Sequence, residues 1–303
     1  MFRKALFGAL LLVAGCATTT DVTTTSAAAP SSTTTQAVTT TTEPRPERIV
    51  SLSSVATEIL FAIGAGDQVV AVDDQSNYPA EAPMTDLSGF TPNIEAIVSY
   101  EPDLVVVSYD PGELVGGLEA LGVPVLVQLA AVDLDGTYTQ IEELGAATGH
   151  LGDAADLVSR IKTELDAVVA EVGDRGEGLT YYHEIDDHLY SVTSTTFFGQ
   201  VYSLFGLVNI ADEADPDGFG YPQLSSEYIV SADPDLIFLA NGSYGMTPEI
   251  LAARPGWASM TAVEEGRVFP LDSDVASRWG PRVVDFARAV ADAVLGTATE
   301  PTG

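Results

Sequence analysis

Two stretches of this chain repeat one another. The first, Glu95-Ala96-Ile97-Val98-Ser99-Tyr100-Glu101-Pro102-Asp103-Leu104, runs on into Val105-Val106-Val107. The second, Glu227-Tyr228-Ile229-Val230-Ser231-Ala232-Asp233-Pro234-Asp235-Leu236, runs on into Ile237-Phe238-Leu239. Glu, Ile, Val, Ser, an acid, Pro, Asp and Leu recur in register. Each copy reads as a short helix, an acidic-Pro-Asp turn and a buried strand, because Pro and Asp both favour turns and an unbroken apolar run suits a strand covered on both faces. Pro92 and Pro222 precede the two helices and are read as marking their starts. Common helix-turn-strand grammar would not keep so many identities in step, so the fold is expected to contain duplicated α/β halves.

The rest of the chain fits that frame. Arg48-Ile49-Val50-Ser51-Leu52 is a short apolar run, and Val55, Ile59, Leu60 and Ile63 then recur at helical spacing, with Ser54 and Glu58 as start chemistry. Gly64 and Gly66 follow this helix and precede the strand-like Val69 to Val72. A dinucleotide loop has the opposite order, strand before and helix after, so these glycines are read as a helix terminus. Ile94 to Ser99 with Leu104 to Val107, and Leu114 to Leu121 with Val123 to Val127, continue the alternation. Alternating helices and Val-rich strands mean mainly parallel sheets. Leu151 to Val172 contains no Pro and puts Leu157, Ile161, Leu165, Val168 and Val172 on one face, predicting a helix about 33 Å long. Leu179 to Ile185 restarts the pattern, which ends with a helix over Val283 to Leu295. The expected fold is α/β: two doubly wound lobes, 47–150 and 174–298, joined by one long rigid helix over 151–173.

Residues 1–15 read as a secretory leader. Arg3 and Lys4 precede an apolar stretch from Ala5 to Val13, too short for the roughly 20 residues of a membrane span. The leader ends in Val13-Ala14-Gly15-Cys16, which resembles a lipobox. Cys16 is the single cysteine of the chain, and lipidation accounts for an exported thiol with no partner. Residues 16–46 are mostly Thr, Ser and Ala and read as a disordered tether. The formal charge is −32, becoming −34 when Arg3 and Lys4 leave with the leader. So acidic a chain excludes nucleic acid as a partner.

Two function classes fare poorly. No Gly-x-Ser-x-Gly elbow, Walker loop or cysteine nucleophile stands in the folded part, so no enzyme is expected. His183, Glu184, Asp187 and His188 lie close together and are the candidate metal group. A dedicated site draws three or four ligands from separate elements, so no metal is expected here.

The chain resembles the periplasmic binding proteins of the ferric-siderophore, haem and vitamin B12 importers. The likeness is carried by residues 48–53 with Ala56-Thr57-Glu58-Ile59-Leu60, by Gly64-Ala65-Gly66-Asp67, Tyr78-Pro79, both copies of the repeat, Pro255-Gly256-Trp257 and Pro281-Arg282. It implies an ABC permease with its ATPase subunits as partners, a monomer anchored to the cell membrane through lipidated Cys16, and no intrinsic cofactor. By their motif positions, Glu95 and Glu227 are implied to dock on the permease; read alone, each is a solvated glutamate favoured by a helix dipole.

Ligands of doubly wound sheets lie beyond the carboxyl ends of the strands. Loops there offer Ser53, Tyr78, Phe90 and Tyr109 from the first lobe, and Phe197, Phe198, Tyr221, Tyr244, Arg278 and Trp279 from the second. Each aromatic serves equally well as core. Arg278, and with it Arg282, is read as a cation for a ligand phosphate, carboxylate or siderophore anion. Tyr221 matches a ligand-facing aromatic of the B12-binding relatives. With residues 189–197, 221–225 and 277–282, it places the likeness nearest the cobalamin branch. The expected ligand is a corrinoid, with a ferric siderophore or haem as the alternative and a divalent metal as a remote one.

Overall fold

A computed structural model describes residues 45–296. The leader, Cys16 and nearly all of the tether lie outside the described residues.

The first half supplies β1 (Ile49–Leu52), β2 (Val69–Asp73), β3 (Met84–Leu87), β4 (Leu104–Val107) and β5 (Val125–Val127). They form an all-parallel sheet in the order β3-β2-β1-β4-β5. Helices α1 (Ser54–Ala62), α2 (Ile94–Val98), α3 (Leu114–Ala120) and α4 (Leu134–Thr148) connect and cover it. After α5 (Leu151–Val172), the second half supplies β6 (Thr180–Glu184), β7 (Val208–Asn209), β8 (Leu236–Leu239) and β9 (Val268–Pro270), again all parallel, in the order β7-β6-β8-β9. Around it lie α6 (Phe197–Ser203), α7 (Ser226–Ala232), α8 (Pro248–Ala252), α9 (Thr261–Glu264) and the closing helix α10 (Val283–Leu295). The α4 helix adds to the sequence expectation. Asp133 caps its start by accepting from Gly136 N, and Gly149 closes it at φ +81°.

The repeat is also a structural repeat. Asn93 and Ser225 are the N-caps of α2 and α7, each accepting a hydrogen bond of 3.1 Å from the backbone N–H three residues on. The expected Pro92 and Pro222 starts are therefore displaced: both prolines stand before the caps, at different distances. Ile97 and Ile229 are the buried residues of their helices. Glu101 and Asp233 both adopt positive φ, +50° and +45°. The matched Asp103 and Asp235 then reach the strand next door. Asp103 accepts from Glu47 N at 2.8 Å and Arg48 N at 2.9 Å, while Asp235 accepts from Thr180 N at 2.8 Å. These bonds set β1 against β4, with Ile49 opposite Leu104, in the same way as β6 against β8, with Tyr181 opposite Leu236.

Helix α5 covers the expected residues and is more than a connector. Its buried face (Ala154, Leu157, Val158, Ile161, Leu165, Val168 and Val172) belongs to one apolar cluster that reaches Ile49 and Val72 in one sheet and Tyr181 and Phe238 in the other. Close-packed cores transmit strain rather than yielding, so the two halves share a stiff spine. Within β6, His183 is buried and its Nδ1 lies 2.8 Å from the Tyr202 hydroxyl. Burial disfavours the imidazolium and lowers its pKa from 6.5 to about 3.

Between those two values the unfolded chain binds a proton that the folded chain refuses, so His183 favours folding above about 6.5 and this contribution is lost as pH falls toward 3. Urea unfolding at stepped pH is expected to show His183→Gln losing about 1.4 kcal/mol per pH unit less stability than the parent over this window. Parallel curves would contradict the assignment.

Candidate ligand-binding cleft

All strands in each sheet are parallel, so their carboxyl ends share one edge, and the loops from those edges meet. Asn77 Nδ2, after β2, donates to Asp274 Oδ2 after β9 at 2.7 Å. Gln200 Nε2, on α6, donates to the carbonyl of Val132, after β5, at 2.8 Å. The Trp279 carbonyl accepts from Thr137 Oγ1 at 2.8 Å, and its indole N–H donates to Gln140 Oε1 at 3.2 Å. The carboxyl edges of the two sheets therefore face each other across a cleft.

One buried carboxylate organises its floor. Glu58, on α1, is 2% exposed. Its Oε1 accepts from Arg278 Nη1 at 2.9 Å and Arg282 Nη2 at 2.6 Å, and its Oε2 accepts from Arg282 Nε at 3.0 Å. Arg278 Nη2 donates further to Asp274 Oδ1 at 2.8 Å and the Gln75 carbonyl at 3.0 Å. The Arg282 guanidinium lies 4.4 Å from the centroid of the Tyr78 ring. Arg278 is thus a strut between the halves, 7% exposed, rather than the open ligand cation expected from the sequence. Arg282 is committed in the same way.

Other expected residues divide by location. Ser53 is buried and caps α1, its side chain accepting from Ala56 N at 3.3 Å. Phe197 and Phe198 open α6 with their rings turned into the core, the latter 5.5 Å from the Phe286 ring. These three are structural in this conformation, because the helix starts that place them at the cleft also turn them inward. Trp279 is half-buried and, through the bonds above, ties the halves together.

Tyr78, Phe90, Tyr109, Tyr221 and Tyr244 remain exposed. Among the described residues the exposed large aromatics are these together with Tyr190 and Phe219, and each stands on a loop leaving the carboxyl end of a strand. Phe90 and Tyr109 already pair, with ring centroids 6.4 Å apart. Gly89 makes this possible, since a Cβ there would stand 2.7 Å from Asp73 Oδ2 and 2.8 Å from the Leu52 carbonyl. Phe219 escaped the sequence reading; the signal was a lone Phe among Asp, Pro and Gly.

Glu95 and Glu227 are exposed, each the second residue of its helix. Both helices begin on the cleft side of their sheets, so the pair occupies equivalent places on the two rims. The suspected metal group comes apart. His183 is bound to Tyr202, and Glu184 is held by both Arg254 amino groups at 2.5 and 2.9 Å. Asp186, Asp187 and His188 do bring one ligand atom each within 4.8 Å of one another, on an exposed turn. Two grooves, of about 420 and 300 Å³, flank α5; the first is remote from the candidates, whereas the second is lined by Tyr78, Glu58 and Arg282 and so lies beside the ion cluster of the cleft floor.

This two-lobed architecture is that of the solute-binding transport proteins. The chain belongs to the periplasmic binding protein family, whose profile matches residues 49–275. It is a substrate-binding transport protein, not an enzyme. It is 29% identical over 258 residues to the "Uncharacterized ABC transporter substrate-binding lipoprotein YvrC" of Bacillus subtilis, covering 82% of this chain and 80% of that one. It is 29% identical over 265 residues to a "Cobalamin-binding protein" of Halobacterium salinarum, covering 84% and 71%. Among solved structures, the periplasmic heme-binding protein RhuT from Roseiflexus superposes with a TM-score of 0.72 at 25% identity, covering 84% of this chain and 99% of that one. No described helix is long and apolar enough to cross a membrane.

Removing the buried carboxylate leaves Arg282 without its counter-charge and Arg278 with Asp274 alone. Glu58→Ala is expected to cost about 3–5 kcal/mol in urea unfolding. A loss below about 1 kcal/mol, the scale of an exposed pair, would contradict its role as the cleft's anchor.

Proposed function

We propose that this chain is the lipid-anchored substrate-binding component of an ABC importer, and that it captures a corrinoid and delivers it to a membrane permease. The observation that carries the ligand class is the pairing of an aromatic cleft with arginines already committed to carboxylates. Tyr78, Phe90, Tyr109, Tyr221 and Tyr244 offer rings to a broad ligand face, and rings bury large areas with few rotors lost. Arg278 and Arg282 are taken by Glu58 and Asp274. A polyanionic ferric siderophore, or haem with its two carboxylates, would need free positive charge. Cyanocobalamin is net neutral and rimmed with amides, so it has no such need. The cobalamin-binding relative supports the same reading. The heme-binding structural neighbour keeps haem as the alternative to be tested.

Cys16 is the proposed anchor, with residues 16–46 as the tether and the permease and its ATPases as partners. Glu95 and Glu227, equivalent in sequence and in cap geometry, are proposed to dock on permease cations.

Isothermal titration tests the ligand. Cyanocobalamin is expected to bind with a dissociation constant of about 1 μM or tighter, near −8 kcal/mol. Tyr221→Ala is expected to weaken binding by about 1–3 kcal/mol. Tight binding of hemin or a ferric siderophore with no cobalamin binding would replace the corrinoid assignment.

Replacing both Glu95 and Glu227 with Ala is expected to leave affinity within about threefold while uptake through the cognate permease collapses, since close interfacial charge pairs couple by about 1.5–7 kcal/mol. Lost affinity with intact transport would reverse the assignment.

A further inference from the structure

We propose that Phe219 is a ligand-contacting residue of the second lobe and that Asp215 positions it. The inference rests on the cleft reading but not on the corrinoid in particular. A single exposed apolar side chain needs no explanation, so the exposure of Phe219, 80%, does not carry the case alone. The turn that presents it does. Asp215 Oδ1 accepts from Phe219 N at 3.0 Å and Oδ2 accepts from Gly220 N at 2.6 Å, so one carboxylate holds two consecutive amides. Gly218 and Gly220, on either side of the ring, take φ of +71° and +84°, the left-handed region that other residues enter at a cost. The turn is fastened to its neighbour as well. Thr193 N donates to the Gly220 carbonyl at 2.9 Å, and Ser194 N donates to Asp212 Oδ1 at 2.7 Å. The backbone is thereby fixed while the ring stays in solvent, in a turn otherwise made of Asp, Pro and Gly.

The topology says what it faces. Hydrogen bonds across the cleft join the β2 loop to the segment after β9, and the β5 loop to α6. With sheet orders β3-β2-β1-β4-β5 and β7-β6-β8-β9, the Phe219 turn, which follows β7, stands across from the loops after β4 and β5. Those loops carry exposed Tyr109 and exposed Leu129. Phe219 therefore closes the apolar wall from the second lobe, at the end of the cleft away from the Glu58 anchor. A preorganised ring loses little freedom on binding. The ligand class that suits it presents a wide, flat apolar face, as a corrinoid or porphyrin ring does.

Titrations of the mature protein with cyanocobalamin and with hemin test this. Phe219→Ala is expected to raise the dissociation constant about tenfold or more, and Phe219→Trp to hold it within about threefold. Asp215→Ala is expected to weaken binding to a similar degree, and Asp215→Ala in the Phe219→Ala background to add nothing, because Asp215 acts through the ring. All variants should keep the parent's urea midpoint within error, the turn being outside the core. Phe219→Ala within twofold of the parent would overturn the proposal, and additive losses would overturn the role of Asp215. Should the parent bind hemin and not cyanocobalamin, the corrinoid reading fails while the same cycle, run with hemin, still decides Phe219. A parent that binds neither macrocycle would overturn both.

Discussion

The cleft depends on one carboxylate. Glu58 lies on α1, and α1 is packed into the shared core, so its oxygens have little access to water. A buried ionised group is tolerated only when its partners are close and complete. Arg278 and Arg282 provide them from a segment more than 200 residues further along the chain. Because both guanidiniums are held, the 274–282 segment cannot drift from the first lobe without leaving Glu58 and Arg282 unpaired and Arg278 with Asp274 alone. The same bonds that fix the cleft's floor also neutralise its arginines.

A stiff spine and an ionic anchor together hold the two lobes in a preformed arrangement. Helix α5 is seated in a continuous core between the two sheets, and α10 packs along it. The Glu58 cluster adds a second tie on the cleft side. Capture in such a molecule relies on loops already in place. The aromatic residues fit this pattern, since Phe90 is set by a close glycine approach and Phe219 by a carboxylate-capped turn. Preorganisation lowers the entropic cost of binding a large ligand. Glu95 and Glu227 stand on matching helices, apart from the exposed aromatics.

Much of this was legible in the sequence. The duplicated segments announced two equivalent halves, and the apolar stripe from Leu157 to Val172 marked the spine with its boundaries. Periodicity and repetition are local signals, and local signals survive in sequence. The misreadings were of another kind. Arg278 looked like a free cation because nothing local shows that Glu58 waits for it across the fold. Ser53, Phe197 and Phe198 lie where ligand residues would be expected, but a helix start fixes its own side chains, and these point into caps and core. Phe219 was passed over because a turn of Asp, Pro and Gly carries no periodicity, and the Asp215 bonds that hold its amides are visible only in the fold. The leader and lipidation motif rest on the sequence alone.

The central claim is that a preformed cleft between the carboxyl edges of both sheets receives the ligand. Amide hydrogen exchange, with and without saturating cyanocobalamin, tests it most directly. The account predicts added protection in the loops after β2, β3 and β4 of one lobe and in the 186–196, 210–225 and 240–247 loops of the other, with α5 unchanged. Protection confined to one lobe, or centred on α5 itself, would contradict it.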